Sequence, residues 1–255
     1  SCGYRRERIR TSVPLSGANE RVADMVAYAD QPFDALTATI AAVDSSTFSE
    51  HELGLLRPIG ASVIVHCFGD HVKFWKQTPE RPEFLHRVSE GKIASFFREH
   101  LDQLAPDPIY RAKVWGRSNR EWQLDFVDVG LLPVVEQSAG EDLKRLLERV
   151  VTATKDALGW RGEISLNDGR WLLQSIFWLL AAKILRDKEV PGFERLNLGE
   201  LESVYLALAR HYDKHNPRPV QIDGSGRRDG LLVAAEMIQG FGHCGAVTTE
   251  SLAWV

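Results

Sequence analysis

The hydrophobic period of this 255-residue chain changes close to residue 130, and this change constrains the fold more than any other feature. Before that point, short apolar and β-branched runs are separated by Gly, Pro and Asp, as is typical of strands. After it, apolar residues recur every three or four positions over long stretches, as in amphipathic helices. The sequence therefore predicts an α+β protein, with a small mixed sheet domain over residues 1–130 and a helical bundle over residues 131–255.

The first half contains the clearest strand pair. Residues 61–68 are rich in β-branched side chains, residues 71–77 alternate, and a Gly-Asp turn signal separates them, so we expect a β-hairpin. Residues 36–43 predict a further strand. Residues 20–29 are expected to form a short helix, and residues 92–104 a helix that covers one face of the sheet.

The second half predicts helices joined by short polar breaks. Ser138 and Glu141 have the spacing of a capping box, and the helical period after them continues to Gly159, a typical helix stop. Residues 169–186 are apolar nearly all round, which predicts a central helix. Their apolar run is too short and too often interrupted by polar residues to span a membrane.

The cysteines and the amino-terminal sequence bear on the cellular compartment. Cys2, Cys67 and Cys244 are odd in number and widely separated, so they form neither a disulfide framework nor a typical metal-binding spacing. The first ten residues are polar and rich in arginine, unlike a secretory signal. We therefore expect a cytoplasmic protein with no membrane partner.

A basic cluster with a tryptophan inside it predicts contact with nucleic acid. Over residues 111–120 the chain has four basic residues and no acidic one, although its formal net charge is −4. Clustered cations bind phosphates, and an indole between them can stack on a base or a sugar. Two lysines of the hairpin could extend this surface, and the alternative is an ordinary solvated surface. The candidate nucleic-acid-binding residues are Arg111, Lys113, Trp115, Arg117, Arg120, Lys73 and Lys76.

Several segments resemble one family of enzymes. The run YRAKVWG at residues 110–116, followed by QLDFVDVGLLPVVE at residues 123–136, resembles the region upstream of the catalytic domain in large DNA adenine methyltransferases of restriction-modification and phage-defence systems. Residues 171–190 resemble the long core helix of their amino-terminal helical region. Residues 251–255 are similar to the start of the segment that leads into the methyltransferase domain.

This resemblance implies an accessory region rather than a complete enzyme. Such a region would bind and position double-stranded DNA, and would support a catalytic domain that is not in this chain, alongside other subunits of a restriction or defence complex. Adenine methyltransferases hold the flipped base with an Asn/Asp-Pro-Pro-Tyr/Phe motif. This chain has Asn216-Pro217-Arg218-Pro219, which lacks the adjacent second proline and the aromatic ring. We therefore expect no catalytic residue, metal or cofactor here, and S-adenosylmethionine only in the full-length enzyme.

Two other functions stay open at this point. A metal-dependent nuclease could be built around Asp34, Asp44 and either Lys73 or Lys76, because such enzymes place carboxylates and a lysine around a metal-bound water. The hairpin strand has the lysines but no acid two positions earlier, which favours a nuclease-like sheet without activity. The third possibility is a protein-docking module whose helical half binds another subunit and makes no contact with DNA.

Overall fold

The computed structural model describes residues 3–15, 21–115 and 125–252. Within these residues a six-stranded mixed sheet precedes a helical region, which confirms the predicted α+β class. The strands lie in the sheet in chain order, with β3 and β4 parallel and the other neighbours antiparallel. They are β1 (Ile9–Pro14), β2 (Val22–Tyr28), β3 (Ala38–Asp44), β4 (Val63–Cys67), β5 (His71–Lys76) and β6 (Glu83–Ser89).

Both faces of the sheet are covered, which explains why β3 and β4 are apolar almost throughout. Successive residues of a strand point to opposite faces, so Val63 and Ile64 belong to different apolar clusters. The cluster of Ile64 contains Leu53 and Leu56 of the 3₁₀ segment Glu50–Ile59, which connects the parallel strands β3 and β4. The cluster of Val63 lies against the helices that follow β6.

The helices follow the sheet in sequence, and the described residues contain no helix that is both long and apolar enough to cross a membrane. They are α1 (Ile93–Glu99), α2 (Leu101–Leu104), α3 (Pro106–Trp115), α4 (Leu131–Ala157), α5 (Leu166–Asp187), α6 (Leu201–Tyr212), α7 (Ser225–Gln239) and α8 (Thr249–Leu252).

The chain divides into two compact units. The first extends to Gly140 and also includes the described residues 246–252, whereas the second comprises Glu141–Gly245. The returning segment is tied to the first unit by backbone and side-chain hydrogen bonds. Ala35 N–H donates to the Ala246 carbonyl at 3.1 Å, and the Thr248 hydroxyl donates to the buried carboxylate of Glu136 at 3.2 Å. This division lies ten residues beyond the predicted boundary at residue 130, and residues 246–252 belong to the sheet unit.

Two local predictions were wrong. Residues 20–29 do not form a helix, because Val22–Tyr28 is strand β2 and pairs with β1 and β3. A short apolar run fits either period, and pairing with distant strands decides between them. The expected helix start at Ser138 is also wrong, because α4 begins at Leu131. The Asp128 carboxylate accepts the Gly130 N–H at 2.8 Å just before that start.

The second unit is built around α5, which packs against α6 and α7. The Ser165 hydroxyl caps its amino terminus by accepting the Asp168 N–H at 3.1 Å. Inside the unit, Tyr205 of α6 is fully buried and its hydroxyl donates to the Ser175 carbonyl at 3.2 Å. The sequence predicts that α5 is buried on nearly all sides, but only one side of the helix is buried.

Candidate nucleic-acid interface

An arginine and a tryptophan lie together on the exposed surface at the carboxyl end of α3. Arg111 and Trp115 are four residues apart, so their side chains lie on the same side of the helix. The guanidinium carbon of Arg111 is 5.9 Å from the centroid of the Trp115 ring, and Trp115 is 48% exposed. An accessible indole beside a guanidinium offers a stacking surface and a phosphate ligand at one place.

The exposure of this pair follows from how α3 packs on the sheet. Ile109 and Ala112 are fully buried in the apolar cluster that also contains Val63 and Phe74. Because these residues fix the inward side of the helix, Arg111 lies on its solvent side. The helix ends at Trp115, immediately before the stretch that contains Arg117 and Arg120. Those two candidates lie outside the described residues.

Lys113 has a different role from the one predicted, because it is only 2% exposed. Its amine donates to the carbonyl oxygens of Ala35 at 2.7 Å and Gly60 at 2.6 Å, and also to that of Ala38. A buried amine that already donates to three carbonyls cannot also contact a phosphate, so the assignment of Lys113 to the nucleic-acid surface is corrected. Lys113 instead fixes α3 to the sheet.

Burial also changes the acid–base behaviour of Lys113. Removing the charged amine from water lowers its pKa from 10.5 to about 7, while the negative charges of Asp34 and Glu136 act in the opposite direction. The three carbonyl acceptors oppose the effect of burial as well, because only the ammonium form has three N–H donors. The pKa of Lys113 in the folded protein is the sum of these effects, and it can be measured.

The two hairpin lysines lie on β5, and each is paired with a carboxylate. Lys73 forms an ion pair with Glu50, and its amine lies 4.9 Å from the centre of the Phe68 ring. Lys76 forms an ion pair with Glu83 at 3.2 Å. About a fifth of each lysine side chain is exposed. A phosphate would have to compete with these carboxylates, which makes the two lysines weaker candidates than Arg111.

The two carboxylates proposed for a nuclease centre, Asp34 and Asp44, do not come together. Asp34 precedes β3 and Asp44 ends it, and seven strand residues at ~3.3 Å each separate them by roughly 20 Å. The Asp34 carboxylate accepts the Thr37 N–H at 3.2 Å, and that of Asp44 accepts the Ser46 N–H at 2.8 Å. Over the described ranges, no group of three His, Cys, Asp or Glu residues could hold a metal ion. Asp34 and Asp44 therefore cannot share a metal ion.

A groove beside the edge strand β6 was not predicted from the sequence. We call it the β6 groove; it is lined by Asp70, His71, His86, Arg87, Val88, Ser89, Lys92, Ser95, Phe96 and Glu99. Its two cations, Arg87 and Lys92, are separated in the sequence and lie near acidic residues. The sequence therefore shows no basic cluster at this place. The pairing of β5 with β6 places His71 opposite Ser89 and Lys73 opposite Arg87, and so assembles the groove. Only knowledge of which residues of β5 and β6 pair with each other could have revealed this groove.

The polar groups of the groove are arranged around His71. Its Nδ1 lies 2.6 Å from a carboxylate oxygen of Asp70 and 3.3 Å from an Arg87 Nη. The His71 ring stacks on Phe68 with the two ring centres 4.6 Å apart and the planes nearly parallel. The hydrogen bond from His71 lowers the pKa of Asp70, so this carboxylate is ionised and engaged by the imidazole.

Comparisons of the chain with protein-family models, curated proteins and solved structures find no match.

Proposed function

We propose that this chain binds double-stranded DNA and positions it for an adenine methyltransferase domain, within a restriction-modification or phage-defence enzyme. The observation that carries the proposal is the exposed pair of Arg111 and Trp115 at the end of α3, immediately before a stretch with two further arginines. The resemblance of residues 110–116 and 123–136 to the accessory region of such enzymes supports the enzyme context.

In this proposal the chain supplies positioning rather than chemistry. Arg111, together with Arg117 and Arg120, would bind backbone phosphates, which fix the register of a protein on the duplex. Trp115 would stack on a sugar or an exposed base. Lys113 supports both groups indirectly, because it anchors α3 through three carbonyls. Base flipping and methyl transfer from S-adenosylmethionine would belong to the methyltransferase domain.

A cytoplasmic location is part of the same proposal. The two described cysteines, Cys67 and Cys244, are free thiols. Free thiols are usual in a reducing compartment. Other subunits of a restriction or defence complex are the expected protein partners.

The test is binding of the intact chain to a fluorescently labelled duplex between about 50 and about 200 mM salt, because phosphate contacts make affinity fall with salt. Arg111→Ala should weaken binding and reduce the salt slope by about 1. Trp115→Ala should weaken binding with little change in slope, because the indole carries no charge. Arg149→Ala, at an exposed arginine of α4, is the matched control and should bind like the unchanged chain.

The same samples test the competing functions. Absence of salt-sensitive binding by the intact chain would overturn the proposal. Magnesium-dependent cleavage of the duplex that disappears in Asp44→Ala would replace it with a nuclease.

The second candidate function is protein docking by the second unit. Leu173 and Phe177 lie one turn apart on α5 and are each 47% exposed, so they place two large apolar side chains next to each other on the surface. An exposed apolar helix side of this kind is typical of a protein-binding surface. A chain that fails to bind DNA even at low salt would favour this function over DNA positioning.

A further inference from the structure

We propose that the β6 groove binds a backbone phosphate of the same DNA, and that Arg87 and Lys92 are its ligands. This inference rests on the proposed function, because it adds a second contact to DNA that is already held at Arg111 and Trp115.

Arg87 is the first of the two phosphate ligands. It lies on β6 directly opposite Lys73 of β5, and like charges in such cross-strand pairs repel. Lys73 is neutralised by Glu50, whereas Arg87 forms no ion pair with any residue that the structure describes; one of its Nη atoms lies 3.3 Å from His71 Nδ1, and its charge acts on Asp70 from a distance. A guanidinium has five N–H donors, so most of its donors are left for an anion. Guanidinium groups bind phosphate oxygens in pairs, which suits this position.

Lys92 is the second ligand. It ends the short 3₁₀ turn Glu90–Lys92 between β6 and α1, and its side chain is exposed. It forms no ion pair with any residue that the structure describes. The Ser95 hydroxyl donates to the Lys92 carbonyl at 2.8 Å, which ties this turn to the first turn of α1. The Lys92 amine thus lies on the same groove as Arg87, on a backbone that is held in place.

Two carboxylates also line the groove, and they decide which anion it can take. Asp70 is engaged by His71, while Glu99 lies at the end of α1. Two cations and two carboxylates leave the groove close to neutral, so an isolated anion should bind only weakly. A phosphate of a duplex already held elsewhere on the protein has a high effective concentration, and weak contacts then add to affinity.

The β6 groove lies at the edge of the sheet, and one of its sides is formed by the helical layer that also carries Arg111 and Trp115. Phe96 of α1 and Ile109 of α3 are buried in one apolar cluster on one face of the sheet. Lys92 directly precedes α1 on that face, whereas Arg87 is the neighbour of Val88, a member of the same cluster, and so points to the opposite face at the edge strand. A duplex of about 20 base pairs is roughly 68 Å long at 3.4 Å per pair, which is long enough to reach both contacts.

The test measures the salt dependence of duplex binding for Arg87→Ala, Lys92→Ala and the double variant. One phosphate contact corresponds to a slope of about 0.9 in log affinity against log salt, so the double variant should reduce the slope by about 0.9 and each single variant by less. Arg81→Ala is the control, because Arg81 is exposed in the same unit but does not line the groove. These exposed positions should tolerate alanine, and circular dichroism checks that the variants are folded.

The outcomes separate this inference from the proposed function. If the intact chain does not bind DNA, both fail. If it binds, and Arg111→Ala weakens binding while the double variant of Arg87 and Lys92 does not, only the groove assignment fails. A parallel titration with inorganic phosphate, followed by the NMR signals of the His71 and His86 rings, distinguishes the source of the anion. Tight binding of inorganic phosphate that the double variant abolishes, with unchanged DNA affinity, would also overturn the assignment to DNA.

Discussion

The amine of Lys113 lies 2.6 Å from the carbonyl oxygen of Gly60, and this contact joins α3 to the turn that leads into β4. The same amine donates to the carbonyls of Ala38, at the start of β3, and of Ala35, in the turn before it. One side chain therefore connects three segments that are distant in sequence. Because Arg111 and Trp115 lie on the same short helix, the anchor also determines where the candidate nucleic-acid interface is presented.

Replacing Lys113 with methionine should strongly destabilise the first unit. The apolar volume would be largely kept, but the buried carbonyls of Ala35, Ala38 and Gly60 would lose the two or three N–H donors that the amine supplies, at about 1–3 kcal/mol for each unsatisfied group. We expect a loss of at least ~3 kcal/mol in the free energy of unfolding, measured with urea. Arg111→Met, on the exposed side of the same helix, should change stability by less than ~0.5 kcal/mol. A loss below about 1 kcal/mol for Lys113→Met would contradict the anchoring role.

The buried amine should also make stability depend on pH. The pKa of Lys113 is lowered to about 7 in the folded chain, whereas the unfolded chain keeps a pKa near 10.5. Between these values the unfolded state binds more protons, so the free energy of unfolding rises with pH by up to ~1.4 kcal/mol per pH unit. This stability is lost as pH falls from about 10 toward 7.

The pH dependence is measured as the difference in unfolding free energy between the unchanged chain and Lys113→Met. Other groups titrate in both proteins, so the difference isolates Lys113. It should become larger between about pH 7 and about pH 9.5. A constant difference over this range would mean that the three carbonyls keep the amine protonated and cancel the effect of burial.

How far the sequence predicts the fold depends on whether the determining contacts are local. The hairpin of β4 and β5 is predicted correctly, because its alternation and its Gly-Asp turn lie within twenty residues. Strand β2 was mistaken for a helix, because its short apolar run becomes a strand only through pairing with β1 and β3. Helix α4 was started too late, because a serine and a glutamate with capping-box spacing also occur inside helices.

In the candidate site, too, features that depend on local sequence could be predicted, whereas features that depend on distant contacts could not. The sequence places Arg111 and Trp115 correctly on one stretch, and their spacing of four residues is enough to bring them together on a helix. It cannot show that Lys113, between them, points to the interior and meets carbonyls more than fifty positions away. It also cannot show that Arg87 and Lys92 share a groove with His71, because strand pairing creates that proximity.

Gly60 should not tolerate a side chain. Its φ is +78°, a left-handed conformation that costs alanine about 1–2 kcal/mol, and an added Cβ would lie 2.6 Å from atoms of Ala35. The backbone cannot move away without disturbing the carbonyl that Lys113 binds. We expect Gly60→Ala to destabilise the chain by at least ~2 kcal/mol in thermal or urea unfolding. Gly54→Ala, where an added Cβ has no neighbour within 4 Å, is the matched control and should be close to neutral.

A buried ion pair should be important for the second unit. Lys183 and Asp187 lie one turn apart on α5, and their side chains are only 5% and 6% exposed. The Asp187 carboxylate also accepts the Cys244 N–H at 2.8 Å, so it holds the segment after α7 in place. Removing one member of a buried pair leaves the other charge without compensation, at a cost of about 3–5 kcal/mol.

Asp187→Ala should therefore unfold the second unit at a much lower urea concentration than the unchanged chain requires. Asp142→Ala removes the acid of an exposed pair with Arg145, whose side chains are 50% and 64% exposed, and should cost less than ~0.5 kcal/mol. The double variant Lys183→Met/Asp187→Leu should recover part of the loss, because it leaves no buried charge behind. Equal losses for Asp187→Ala and Asp142→Ala would show that Lys183 reaches water once its partner is gone, and that the pair is not a structural anchor.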